Sequence, residues 1–226
     1  MTGFLDAGGN PGANYYAWMW KRAPNFFDVV AYTGNGTAGR TVSHNLGVAP
    51  EMMWVKQRPY SSSWTVYHKD IGAANKLILN DASGTASATS AWNSTAPTSS
   101  VFTLGSLNDV NENPLAHIAY LFASLDGISK VGSYTGTGNH IDVDCGFTSG
   151  ARFVLIKRVD TSSTGWGVID TVRGLTSSAD AYLFLNLTIA EGTANIVNPL
   201  SSGFKVVGTG SDYNANGSTY IFYAIA

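Results

Sequence analysis

Charge is scarce in this chain. Only 12% of its 226 residues are Asp, Glu, Lys or Arg, and the net charge is −2. A nucleic-acid-binding surface needs a basic patch that such a balance does not supply. There is one cysteine, Cys145, so no intrachain disulfide can form. Beside Gly146 and with no His near it in sequence, Cys145 reads as a buried, inert core residue. No apolar run approaches the ~18–20 residues of a membrane span. The first residues lack the basic-then-apolar pattern of a secretory signal. The motifs GxSxG and HExxH, the phosphate loop and the dinucleotide fingerprint are all missing. No segment holds a sustained 3.6-residue period; Ile189–Val197 comes nearest and is short.

What is present is apolar content of 44%, ample for a core, cut into short pieces by 25 glycines. The last piece organises the rest. Asp212, Asn214, Asn216 and Gly217 form a turn signal. Tyr220–Ala226 follows, rich in aromatic and β-branched residues. Tyr220, Phe222 and Ala224 alternate with Ile221, Tyr223 and Ile225, and both sets are apolar. This predicts a strand covered on both faces, inside a sheet rather than at its edge.

The same unit occurs 103 positions earlier, where Asn111, Asn113, His117 and Ile118 match Asn214, Asn216, Tyr220 and Ile221. Upstream of each copy lies a matching body. YTGNG at Tyr32–Gly36 matches YTGTG at Tyr134–Gly138, Trp64 and Val66 match Trp166 and Val168, and Leu77, Leu79 and Asn80 match Leu183, Leu185 and Asn186. The shift stays near 102 except at the last match, where it is 106, placing a four-residue insertion in the second copy. The repeat is domain-sized, larger than a solenoid unit. Many short strands between Gly/Asn/Ser turns indicate an all-β chain of two tandem β-sandwich, jelly-roll-like domains. The expected bodies are 26–126 and 127–226, joined at the Asp126-Gly127 turn, after an N-terminal arm at 1–25. Strands are expected near 26–33, 40–44, 51–58, 64–69, 76–81, 99–104 and 116–124 in the first body. In the second they are expected near 130–135, 140–144, 151–159, 165–170, 181–187, 194–197, 203–208 and 218–226. Ser83–Ser100 reads as a long surface loop.

The arm carries a third copy of the closing strand at Tyr15–Trp20, with no body for it to close. Tyr15, Tyr16, Trp18, Met19 and Trp20 are therefore the expected assembly strand: part of a longer array, or docked on the first body or on a neighbouring copy. Tyr60, Trp92 and Tyr213 have no counterpart in the other repeat and lie in loop-like stretches, which makes them the candidate surface contacts. Trp64 and Trp166 read as core. Lys56 and Lys157, at matching places, read as snorkelling at a sandwich rim. His140, Asp142 and Asp144 share one strand face. The two carboxylates stand roughly 6.5–7 Å apart, near the separation of an inverting glycosidase. A solvated strand face explains them with fewer assumptions. The Asp212–Gly217 stretch resembles half of a calcium loop, but its twelfth position is Tyr223 where a bidentate Glu is needed. It reads as an Asx turn. Neither a metal nor a cofactor is expected.

FFDVVAYTGNGTAGRTVSHNLGVAPEMMWVK at Phe26–Lys56, the Trp-x-Val unit at Trp64, and GFKVVGTGSDYNANGSTYIFYAIA at Gly203–Ala226 together resemble a repeated β domain of tailed-bacteriophage virion proteins, often found near the ends of tail-fibre-like proteins. The second body departs from the HNLG opening, with CGFTSG at Cys145–Gly150. The resemblance implies a place on a virion, no catalytic residues, other virion proteins as partners, a homo-oligomer (a trimer by preference) and contact with a host glycan or protein. A capsid or tail decoration protein is the alternative. A glycan-cleaving enzyme using Asp142 with Asp144 or Asp170 is the third reading.

Overall fold

The structure, a computed structural model, describes residues 18–226. The first body comprises β1 (Phe27–Thr33), β2 (Arg40–Ser43), β3 (Met52–Gln57), β4 (Trp64–His68), β5 (Asn75–Ile78), β6 (Ala86–Ser87), α1 (Thr89–Trp92), β7 (Val101–Leu104), α2 (Asn108–Asn111) and β8 (Ala116–Phe122). The second comprises β9 (Ser129–Thr135), β10 (Ile141–Asp144), β11 (Phe153–Arg158), β12 (Trp166–Asp170), β13 (Asp180–Phe184), β14 (Gly192–Ala194), β15 (Val197–Leu200), β16 (Gly203–Val206) and β17 (Thr219–Ile225).

The duplication is visible strand by strand. The first large sheet runs β1-β8-β3-β4-β5-β6, and the second runs β9-β17-β11-β12-β13-β14, the same order copy for copy. Each is faced by a small sheet, β2-β7 in the first body and β10-β16-β15 in the second. No sheet mixes the two halves, and Asp126-Gly127 forms the connecting turn, with Gly127 at φ +70°. The closing strands β8 and β17 lie inside their sheets, as their two apolar faces require. The four extra residues of the second copy lie in the β12–β13 connection, and among the described residues β15 has no equivalent in the first sandwich.

Two elements depart from expectation. Ser83–Ser100 is not a plain surface loop. It holds β6 and α1, and Ala88, Ala91 and Trp92 are buried. Its Ser/Thr-rich composition hides the few apolar residues that turn inward. Lys157 does not snorkel at a rim but is fully buried. Its Nζ donates to the carbonyls of Ala82 and Thr164, at 3.0 and 2.7 Å.

Alternation in the large sheets serves three cores. Met53, Val55, Ala119 and Leu121 face Val42, Phe102 and Leu104 inside the first sandwich. Val154, Ile156, Phe222 and Ala224 face Val143, Phe204 and Val206 inside the second. The opposite faces form one further core. There Met52, Trp54, Val66 and Phe122 meet Phe153, Leu155, Val168 and Tyr223. The two bodies are therefore joined face to face through apolar side chains as well as by a turn. Phe122 and Tyr223 lie 5.1 Å apart at its centre.

The repeated motifs meet each other. In the first sandwich Asn111 is buried; its Oδ1 accepts Asn35 N–H at 3.0 Å, and its amide donates to Thr37 and Gly105 carbonyls. In the second, Asn214 accepts Thr137 N–H at 2.9 Å and donates to the Asn139 carbonyl. The tyrosine of each YTG motif donates to the backbone just before, at Val110 or Tyr213. The Asx signal is thus a long-range latch across the sandwich end, not a local turn alone. Each latch demands a glycine: a Cβ on Gly34 would run into Glu112 O, and one on Gly136 into Ala215 O.

Candidate functional site

The arm enters where the two large sheets face each other. Trp20 stands edge-on to Trp54, Phe122 and Phe153, with ring centroids 6.3, 6.0 and 5.9 Å away. It thereby touches both sandwiches at once. Trp18 donates its indole N–H to Asp170 at 3.2 Å, and the Arg173 guanidinium lies 5.5 Å over its ring. Arg173 is itself bonded to Asp170 at 2.8 Å. Trp18–Trp20 forms no strand. These tryptophans, partly buried between the two sheets, work as a wedge.

Beside the wedge a cleft of about 720 Å³ remains open between the sandwiches. That lies well inside the ~300–1,000 Å³ range of small-molecule sites. Trp54, Trp64 and Tyr120 form one wall, Phe153, Val168 and Leu185 the other, and Trp18 and Trp20 one end. Trp64 stacks on Tyr120, 5.9 Å between centroids and 27° between planes. Asn80 supplies the one side-chain amide, and its Oδ1 already accepts Trp64 N–H at 2.8 Å. The Trp54 indole N–H is buried with no acceptor among the described residues. Among the described residues the lining carries no His, Asp, Glu, Lys, Arg or Cys. Such walls can stack on a flat or apolar group and offer it a few hydrogen bonds, from the Asn80 amide, the Tyr120 hydroxyl and indole N–H groups.

The other side of the interface is closed. Trp166, the counterpart of Trp64, is buried and donates its indole N–H to the Ile78 carbonyl across the interface at 2.9 Å. The loop after β5 docks there, with Thr85 N–H bonded to Val159 O at 2.8 Å and Ser163 N–H to Ala82 O at 3.0 Å. Gly84 has no room for a side chain, since its Cβ would stand 2.5 Å from Thr161 O. Lys157 completes this seam. Burial pushes its ammonium down to about 8, against the pull of Asp212 and Asp81. Its three donors are used on Ala82 O, Thr164 O and Thr164 Oγ1.

Of the expected surface contacts, Tyr60 is at the surface, 62% exposed in the β3–β4 connection. Trp92 is not, at 0% exposed; it packs edge-on to Tyr67 and donates to the Asn75 carbonyl, plugging the first sandwich. Tyr213 is not either, at 7% exposed, its ring stacked on Phe184. Both lack counterparts because the two sandwiches are plugged differently, not because they reach outward. Of the assembly strand, Tyr15 and Tyr16 lie outside the described residues. Trp18 and Trp20 pack within their own chain, and Met19 alone points away, 79% exposed. Asp142 is 59% exposed and pairs with Lys205 at 3.1 Å. Asp144 accepts Gly146 N–H in the next turn, and His140 is exposed, so the three occupy a wet strand face. Cys145 is buried, and burial pushes its thiol up to about 12. Among the described residues no group of His, Cys, Asp and Glu is placed to hold a metal, and no helix is long and apolar enough to cross a membrane. The cleft itself was signalled only by strands apolar on both faces, which say that a second face is covered but not by what.

Two buried histidines make stability depend on pH. His44 Nδ1 accepts Leu46 N–H and its Nε2 bonds the Thr98 carbonyl; His68 Nδ1 accepts Asp70 N–H. Both rings are thus held neutral, and burial lowers both below the ordinary histidine range. The unfolded chain takes up protons near pH 6.5 while the folded one does not. Stability is therefore full above that pH and is lost as pH falls below it, by about 1.4 kcal/mol per unit for each ring until its folded value is reached. Urea midpoints between pH 7.5 and 5 should fall accordingly, and His68→Gln should flatten the slope. A slope unchanged in that variant counts against His68 as a source.

No curated protein and no solved structure matches this chain. A family model described as a domain of unknown function (DUF7483) matches residues 6–226, nearly the whole length of both sandwiches and the arm, and the chain belongs to that family.

Proposed function

We propose that this protein is a non-catalytic structural component of a tailed-phage particle, part of a tail fibre or spike that touches the host surface. The observation that carries the reading is the cleft between the sandwiches, aromatic on its walls and, among the described residues, without His, Asp, Glu, Lys, Arg or Cys. A site so built binds by stacking and shape, which is what attachment needs. The scaffold suits the task, since three cores share two large sheets and leave little freedom between the bodies. The resemblance of Phe26–Lys56 and Gly203–Ala226 to virion β domains supports a place on a virion. A second reading, a decoration protein bound to capsid or tail, is favoured by one feature: Met19 and Val172, 79% and 87% exposed, line a hollow beside the wedge in which apolar side chains are mixed with Lys21, Arg152 and Asp170, as in a protein contact.

Purified particles decide between them. Mass spectrometry of gradient-purified phage should find the chain, and gold-labelled antibody should mark the tail tip. Label along the head or tube favours decoration. Absence from particles overturns both.

A further inference from the structure

The two sandwiches differ most along β5 and its counterpart β13. In the first sandwich Thr65 pairs with Ile78 and Lys76 with Ala86. In the second Gly167 pairs with Phe184 and Gly192 with Tyr182. Rings have replaced Ile78 and Lys76, and glycines have replaced their partners. The changes are physically coupled. A Cβ on Gly167 would lie 2.7 Å from the Tyr213 ring, and Cβ atoms on Gly165 and Gly192 would run into Phe184 and Tyr182. Three rings thus lie flat on glycine backbone. Tyr182 meets Phe184 edge to face at 5.6 Å, and Phe184 stacks on Tyr213 at 6.4 Å and 18°.

In the first sandwich α1 packs against β5 and seals it with Trp92. In the second, β15 pairs with β16 instead, and the ring row borders a pocket of about 350 Å³. Tyr182 and Phe184 are half-buried on its wall. Asn195 and Asp212 face them, with Gly208 and Gly210 backbone between. The Tyr213 hydroxyl is buried with no partner among the described residues.

We propose that this pocket of the second sandwich binds a neutral sugar ring, a specificity that rests on the host-attachment reading above. The apolar C–H face of a pyranose carries partial positive charge and stacks on the negative faces of Tyr182 and Phe184. Asp212 accepts from paired hydroxyls, and the Asn195 amide both donates and accepts. Asp212 is the one charge in the lining, and it repels uronic and sialic acids, so the sugar is uncharged.

A glycan array probed with the full chain, followed by calorimetric titration of the best neutral monosaccharide or disaccharide, tests this. Tyr182→Ala and the surface change Asn195→Ala should each weaken binding by roughly tenfold or more. Lys76→Ala, at the matching place in the first sandwich, should leave it unchanged. Circular dichroism confirms folding. The pocket is overturned if no neutral glycan is retained, if acidic glycans alone are retained, or if binding survives both changes. A chain found in particles but blind to neutral sugars sinks the pocket alone. Sugar binding by a chain absent from particles sinks the attachment reading alone.

Discussion

Trp166→Ala should lower the unfolding free energy by roughly 3–5 kcal/mol, the usual cost of deleting a large buried ring. Trp64→Ala, at the matching place in the other repeat, should cost roughly 1–2 kcal/mol. The two residues hold the same position in the same strand, and both are followed by a buried Val two residues on. Only their surroundings differ. Trp166 is sealed between the sandwiches with its N–H on Ile78 O, whereas Trp64 lies half-open on the cleft wall against Tyr120. Removing Trp166 leaves a void in the core both sheets share and strips the Ile78 carbonyl of its donor. Removing Trp64 only widens a cleft that is already open. Urea denaturation of both variants settles it. Equal costs would mean that the interface is not closed on one side and open on the other.

That asymmetry shows where sequence reading stops. The inner place of the closing strands follows from Tyr220–Ile225 and its copy at β8: alternating sets that are both apolar need cover on both faces, which an edge lacks. The repeat then carries the order from one body to the other. What covers the outer faces was not legible. Met52 and Trp54 look no different in sequence from Met53 and Val55, yet the first pair joins the other sandwich and the second pair its own. Contacts between bodies leave no periodicity of their own. Loop aromatics mislead for a related reason. Trp92 and Tyr213 stand among Ser, Thr, Asn and Gly, so composition places them outside, while a single ring turning inward is enough to fill a sandwich end. The aromatic arm was legible as something that must be buried, and Trp18 and Trp20 are partly so. Its form was not, because a period of two cannot distinguish a strand from a pair of rings inserted from an irregular segment.

The asparagine latches should prove as costly to break as a core ring. Asn214→Ala removes the acceptor for Thr137 N–H and the donor to the Asn139 carbonyl, at a place with no access to water. Each group left unpaired costs about 1–3 kcal/mol, so the loss should be roughly 2–5 kcal/mol. Asn111→Ala in the first sandwich should behave alike, since Asn35 N–H and the Thr37 and Gly105 carbonyls depend on it. Asn216→Ala belongs to the same sequence motif but is exposed, and should change stability by less than ~0.5 kcal/mol. The contrast separates a latch from a mere turn, in which the two asparagines would matter about equally. Hydrogen exchange supplies the local readout: in Asn214→Ala the amides of Thr137 and Gly138 should lose protection, the second because Gly138 N–H bonds the Asn214 carbonyl at 3.0 Å. Gly136 makes the closure possible by letting the backbone approach Ala215 O, so Gly136→Ala should open the same end by a different route. If the latch is one device, Gly136→Ala and Asn214→Ala together should cost less than the sum of the two singly. Full additivity would mean that the glycine and the asparagine stabilise the sandwich end independently.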